Sequence, residues 1–128
     1  MIYLDSSVAL AHLLAEDHAF GESLWEQSLI SSRLLEYEVW NRMHGRGLGR
    51  SHGEAVRALI ARVALIEMTP PVLARALEPF AIAVRTLDAL HLASMEFIRS
   101  RLQAVELASL DARLLTGARA QGIPIYQT

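Results

Sequence analysis

At 128 residues, with 52% hydrophobic and 20% charged residues, the chain has the length and apolar content of one domain with one core, which excludes a disordered segment. The absence of cysteine excludes disulfides and thiolate metal sites, and a net charge of −2 excludes attraction of a polyanion by the molecule as a whole. All 12 basic residues are arginine, so a phosphate-bearing partner would meet guanidinium forks on a local patch.

Short apolar runs alternate with longer helical patterns, the signature of βαβ units and a mostly parallel sheet. The first strand is expected at Ile2 to Asp5. No basic segment precedes it and Asp5 interrupts the apolar start, so no signal peptide is expected. No apolar run reaches the roughly 20 residues that span a bilayer, and a soluble cytoplasmic protein is the expectation. Two helical stretches follow, Ser7 to Leu14 and Ala19 to Gln27, the second with Phe20, Leu24 and Trp25 at helical spacing. After a second strand at Leu29 to Ser31, Ser32 caps a helix that runs to about His44 and dissolves in Gly45-Arg46-Gly47-Leu48-Gly49. Ser51 or His52 starts another helix, which ends before a third strand at Leu65 to Met68. Pro70 and Pro71 suit the first turn of the next helix, where missing amide donors cost nothing. Thr86 caps a long helix to about Leu102, and a fourth strand covers Glu106 to Leu110. Asp111 caps the last helix, which ends at Gly122, and a fifth strand covers Ile123 to Tyr126.

In an open parallel sheet, ligands bind outside the carboxyl ends of the strands, near the point where strand order reverses. Asp5 and Asp111 both stand at such ends. Each alone reads as an ordinary helix cap, but two on neighbouring strands are less easily dismissed. Asp88 lies in the first turn of its helix, where the macrodipole alone would favour it. His91 follows Asp88 at i+3, a spacing used for ligand pairs. Its apolar neighbours Leu87, Leu90 and Leu92, and the preference of hard cations for oxygen, favour a structural His91. Glu36 and Glu38 compete for a fourth acidic place, because residues two apart on a helix point roughly 200° apart. Arg42 at i+4 allows Glu38 a solvated pair, and periodicity leaves the choice open. Carboxylates that converge without a metal repel one another. Magnesium or manganese needs hard oxygen ligands and keeps several waters, and such a site supports phosphodiester hydrolysis.

Four fragments carry a resemblance: Ile-Tyr-Leu-Asp5-Ser-Ser, Ser32-Arg-Leu-Leu-Glu-Tyr-Glu38, Arg85-Thr-Leu-Asp88-Ala-Leu-His-Leu-Ala, and Ser109-Leu-Asp111-Ala-Arg-Leu followed by Ala-Gln-Gly-Ile-Pro. In order and spacing they resemble the PIN-domain nucleases, and within them the VapC-type toxins of toxin-antitoxin pairs. The resemblance implies a single PIN domain over residues 1–128, built as a three-layer α/β/α sandwich with a mostly parallel five-stranded sheet. It implies an endoribonuclease that depends on Mg2+ or Mn2+. Asp5, Glu38, Asp88 and Asp111 match the acidic catalytic positions, with Asp5, Asp88 and Asp111 as metal ligands. The spacing from Ser32 selects Glu38 over Glu36, and Ser6 matches a hydroxyl that supports the first aspartate. The last motif reads Ser-x-Asp where Thr-x-Asp is commoner, which keeps the hydroxyl.

The implied partners are an RNA substrate, a second copy of the chain, and a small antitoxin that often places a basic side chain among the acids. Trp25, Trp40, Phe20 and Leu24 are candidate anchors for an amphipathic partner helix, although such aromatics are more often core. Arg42, Arg46 and Arg50 recur every four residues, and would track a phosphate backbone if one helix continued through the glycines. The commoner reading is a solvated helix end. Gly45 to Gly49 is not a phosphate loop, because it follows a helix and lacks lysine. Phosphate receivers and aspartyl-phosphate phosphatases also place aspartates at strand ends, but they use a lysine that is absent here. A non-catalytic interaction module is the remaining rival, and it would not need all four acids.

Overall fold

The computed structural model describes residues 1–16, 20–101 and 104–127. Its centre is β1 (Ile2–Leu4), which pairs in parallel with β2 (Leu29–Ser32) on one side and β4 (Glu106–Ala108) on the other. The sheet continues through β3 (Val63–Ile66), giving the order β3-β2-β1-β4 with every pairing parallel. Strand order therefore reverses between β1 and β4.

Side chains alternate across a strand, and both faces of this sheet are covered. Ile2 and Leu4 face a core with Leu29, Leu35, Val39, Met43 and Val56. Tyr3 between them faces the opposite core, with Ile30, Leu92, Met95, Leu107 and Leu114. The first core belongs to α1 (Ser6–Leu13), α2 (Glu22–Trp25), α3 (Leu34–Gly45) and α4 (Gly53–Ala61). The second belongs to α6 (Thr86–Arg101) and α7 (Ala112–Ala120), with α5 (Pro70–Ala76) packed on α6. This is the expected α/β/α layering.

The sheet has four strands, not the expected five. The segment at Ile123 to Tyr126 runs beside β4 but makes only one parallel bridge, Leu107 to Ile125. Leu107 N donates to Pro124 O at 2.9 Å, and Tyr126 N donates to Leu107 O at 2.8 Å. Continuing the ladder toward Val105 would need an amide hydrogen on Pro124, and proline has none. The third strand begins two residues earlier than expected, because Val63 and Ala64 pair with Leu29 and Ile30. The helix expected over Ala19 to Gln27 is the short α2, and Ala19 lies outside the described residues. Thr86 is the first residue of α6 and not its cap, while the expected end at Leu102 lies outside the described residues.

Candidate active site

β1 delivers Asp5 immediately past its last paired residue, and the chain turns there into α1. Asp5 is the cap of that helix: its Oδ2 accepts from Ser7 N at 3.4 Å and from Ser7 Oγ at 2.5 Å. Ser109, just beyond β4, donates its hydroxyl to the same oxygen at 2.9 Å. Both hydroxyls are also acceptors, Ser7 Oγ from Leu110 N at 2.9 Å and Ser109 Oγ from Asp111 N at 2.9 Å. The two serines thus lace the β1–α1 turn to the β4–α7 turn at the point of strand reversal. Asp111 caps α7, its Oδ1 accepting from Arg113 N at 2.9 Å and Leu114 N at 3.4 Å. Capping explains both aspartates locally. Among the described residues, however, every hydrogen bond to the Asp5 carboxylate falls on Oδ2 and every one to the Asp111 carboxylate on Oδ1, so each cap engages one carboxylate oxygen.

The four predicted acids line one cleft of about 570 Å³, together with Arg42, Arg85 and Arg113. Asp88 enters it from the first turn of α6. Burial pushes the Asp88 carboxyl above its usual range, and the charges of Asp111 and Asp5 push it further, against the pull of His91 and Arg85. Glu38 enters from α3, where its Oε1 lies 2.8 Å from His91 Nε2. Glu36 is turned to Arg33, 3.1 Å away, which also holds Glu67. The two glutamates therefore point apart, as their spacing requires.

Among the described residues, no group of three or more His, Asp or Glu side chains stands in an arrangement that would by itself hold a metal ion. The carboxylates surround the cleft without closing on a point. The donor set still fits Mg2+ or Mn2+: it is all oxygen, and these ions take one or two carboxylates directly and reach others through water. Burial first, and then the charges of Asp111 and Asp5, raise the Asp88 carboxyl, and a bound cation would favour its ionised form.

The hydroxyls bonded to Asp5 are those of Ser7 and Ser109. Ser6 lines the cleft without such a bond among the described residues. The resemblance assigns this support to Ser6, but which of the two adjacent serines reaches Asp5 depends on the turn, and here it is Ser7. The arginine stripe does not form: α3 stops at Gly45, and Gly47 adopts a φ of 72°. Arg42 lines the cleft, whereas Arg46 pairs with Glu16 at 3.2 Å. Arg85 and Arg113 were not singled out from sequence, though each lies within three residues of an acid at the cleft. Leu24 and Trp25 are buried in the core and are not surface anchors, while Phe20 and Trp40 are only partly covered.

His91 is buried in the core, as its apolar neighbours suggested, but it also reaches the cleft. It is 1% exposed, and Tyr3 Oη lies 2.7 Å from its Nδ1. Burial disfavours the charged ring, and the Tyr3 oxygen and Glu38 carboxylate more than offset this, so His91 holds its proton well above the usual histidine range.

Fold and site together define an α/β/α domain whose carboxyl edge presents an acidic cleft suited to a hard divalent cation. The PIN domain family profile matches residues 2–121, and the chain belongs to that family. Among solved structures it is similar to the VapC20 toxin of Mycobacterium tuberculosis, described as cleaving the sarcin-ricin loop. The TM-score is 0.67 at 19% identity, covering 91% of this chain and 94% of that one. At that identity the likeness shows the fold. No curated protein matches the chain.

Proposed function

We propose that the chain is a Mg2+- or Mn2+-dependent endoribonuclease acting as the toxin of a toxin-antitoxin pair. The observation that carries this reading is the convergence of Asp5, Glu38, Asp88 and Asp111 on one cleft in a PIN domain. A non-catalytic interaction module has no need of that convergence, and the unfavourable charge at Asp88 costs stability without a return. The similarity to a toxin described as cleaving the sarcin-ricin loop supports RNA as the substrate.

Asp5, Asp88 and Asp111 are the residues that would hold the ion, which when bound lowers the pKa of a water and neutralises charge on phosphate oxygens. The protein's own part is to fix these groups. Ser7 and Ser109 lock Asp5, the α7 amides lock Asp111, and Glu38 orients the attacking water. Arg42, Arg85 and Arg113 ring the acids and give the substrate phosphates a positive rim on a chain of net negative charge. Arg46 is a second, more distant candidate contact with RNA.

The partners in this reading are a second copy of the chain and an antitoxin, in the cytoplasm. No described helix is long and apolar enough to cross a membrane. A groove of about 670 Å³ beside Glu38, lined in part by Tyr37, Trp40 and Leu87, suits an apolar anchor of the antitoxin next to the acids.

The test is manganese titration with a mixed RNA pool, comparing the wild type with Asp5→Asn. Metal-dependent cleavage that the substitution abolishes is expected, and equal activity in the variant would overturn the assignment. Thermal unfolding gives a second readout: Mn2+ should raise the Tm of the wild type more than that of the variant.

A further inference from the structure

We propose that His91 is a positioning residue that fixes the Glu38 carboxylate, with Tyr3 holding the imidazole in turn. Its importance for catalysis rests on the ribonuclease reading; the contact itself rests on geometry.

Tyr3 is 0% exposed at the middle of β1, and its ring meets the imidazole edge-on with centroids 5.8 Å apart. Its hydroxyl lies 2.7 Å from His91 Nδ1, and His91 Nε2 lies 2.8 Å from Glu38 Oε1. An ionised glutamate only accepts, so Nε2 carries a hydrogen whether the ring is neutral or charged. Tyr3 then donates to Nδ1 of the neutral ring or accepts from Nδ1 of the charged one. Both nitrogens are satisfied in either case, so the hold on Glu38 does not depend on the ring's titration.

A core histidine of purely structural use would have no reason to reach the cleft. This one does, and it joins two layers: α3 buries its apolar residues on one face of the sheet and α6 on the other. The contact between Glu38 and His91 bridges them at the cleft. A free glutamate side chain samples many rotamers. A buried donor on Oε1 removes much of that freedom and leaves Oε2 for the chemistry. Residues that orient a functional group in this way are typically worth about 10–100-fold in activity.

The test compares His91→Gln and His91→Asn in the full chain. Glutamine sets an amide near the place of Nε2, whereas asparagine reaches only the place of Nδ1. His91→Asn should lower kcat about 10–100-fold per folded molecule with KM nearly unchanged, and His91→Gln should restore most of it. Wild-type kcat in His91→Asn, or equal loss in both variants, overturns the proposal. Imidazole 15N–1H spectra of the metal-free protein supply a measurement without activity, and they stand even if a variant does not fold. A protected His91 Nε2–H signal is expected in the wild type and should be lost in Glu38→Ala. Its absence from the wild type also overturns the proposal. A wild-type chain that cleaves no RNA overturns the ribonuclease reading instead, while the same spectra still decide whether His91 holds Glu38.

Discussion

The Ser109 hydroxyl donates to Asp5 Oδ2 at 2.9 Å and accepts from the Asp111 amide at 2.9 Å, so one oxygen ties together two acids from opposite ends of the chain. Ser109 is itself buried, and its loss would leave both groups without that partner. Ser109→Ala should reduce RNA cleavage about tenfold and stability by about 1–2 kcal/mol. Ser109→Thr keeps the hydroxyl and should remain close to wild type. Cleavage rates and thermal melts of both variants check this, and an active, fully stable alanine variant would refute it.

Glu36 and Glu38 sit on the same helix but meet different partners, Arg33 and His91. Glu38→Gln should cost at least about 100-fold in kcat, in the range of a lost catalytic group. Glu36→Gln breaks a partly exposed pair worth only about 0–1 kcal/mol and should leave kcat within about twofold. The reverse ranking in steady-state assays would move the fourth acid to Glu36.

Asp88 binds its proton more tightly in the folded chain than in the unfolded one, through burial and then the charges of Asp111 and Asp5. Its ionisation therefore costs stability. That cost is absent below the ordinary aspartate value of about 3.9 and fully present once the pH exceeds the raised folded value. Asp88→Asn should raise the Tm of the metal-free protein at pH 7 by only roughly 1–3 °C, because solvent screens this partly exposed carboxylate. The difference should fade toward pH 3, and saturating Mn2+ should reverse it in favour of the wild type. Melts across this pH range decide the matter; a variant less stable at pH 7 without metal would contradict it.

Arg85 and Arg113 line the cleft, whereas Arg46 is paired with Glu16 outside it. Arg85→Ala and Arg113→Ala should each weaken RNA binding and lower the salt slope of log K by about one. Arg46→Ala should change the slope less. Binding of a fluorescent RNA to a catalytically dead Asp5→Asn background, measured across salt, tests all three.

Most of what repeats along the chain was legible before folding. Strands β1, β2 and β4 follow from short apolar runs, and the Asp5 and Asp111 caps follow from acids set at the junction of such runs with helical patterns. The fifth strand was over-read because Pro124 interrupts pairing on an edge, a property of the ladder and not of the run's hydrophobicity. The choice between Glu36 and Glu38 was closed to periodicity because both lie on a partly exposed helix, where either direction is compatible with the pattern.

The sequence by itself determined the parallel α/β class, the acids at strand ends and the membership of the PIN family, because these depend on local period, caps and motif order. Only the tertiary structure decided that Ser7 and Ser109 hold Asp5, and that His91 joins Tyr3 to Glu38. Tyr3 and His91 lie 88 residues apart, His91 and Glu38 53, and Ser109 and Asp5 104. Contacts over such separations arise from the register of β1 between β2 and β4, which no local pattern encodes.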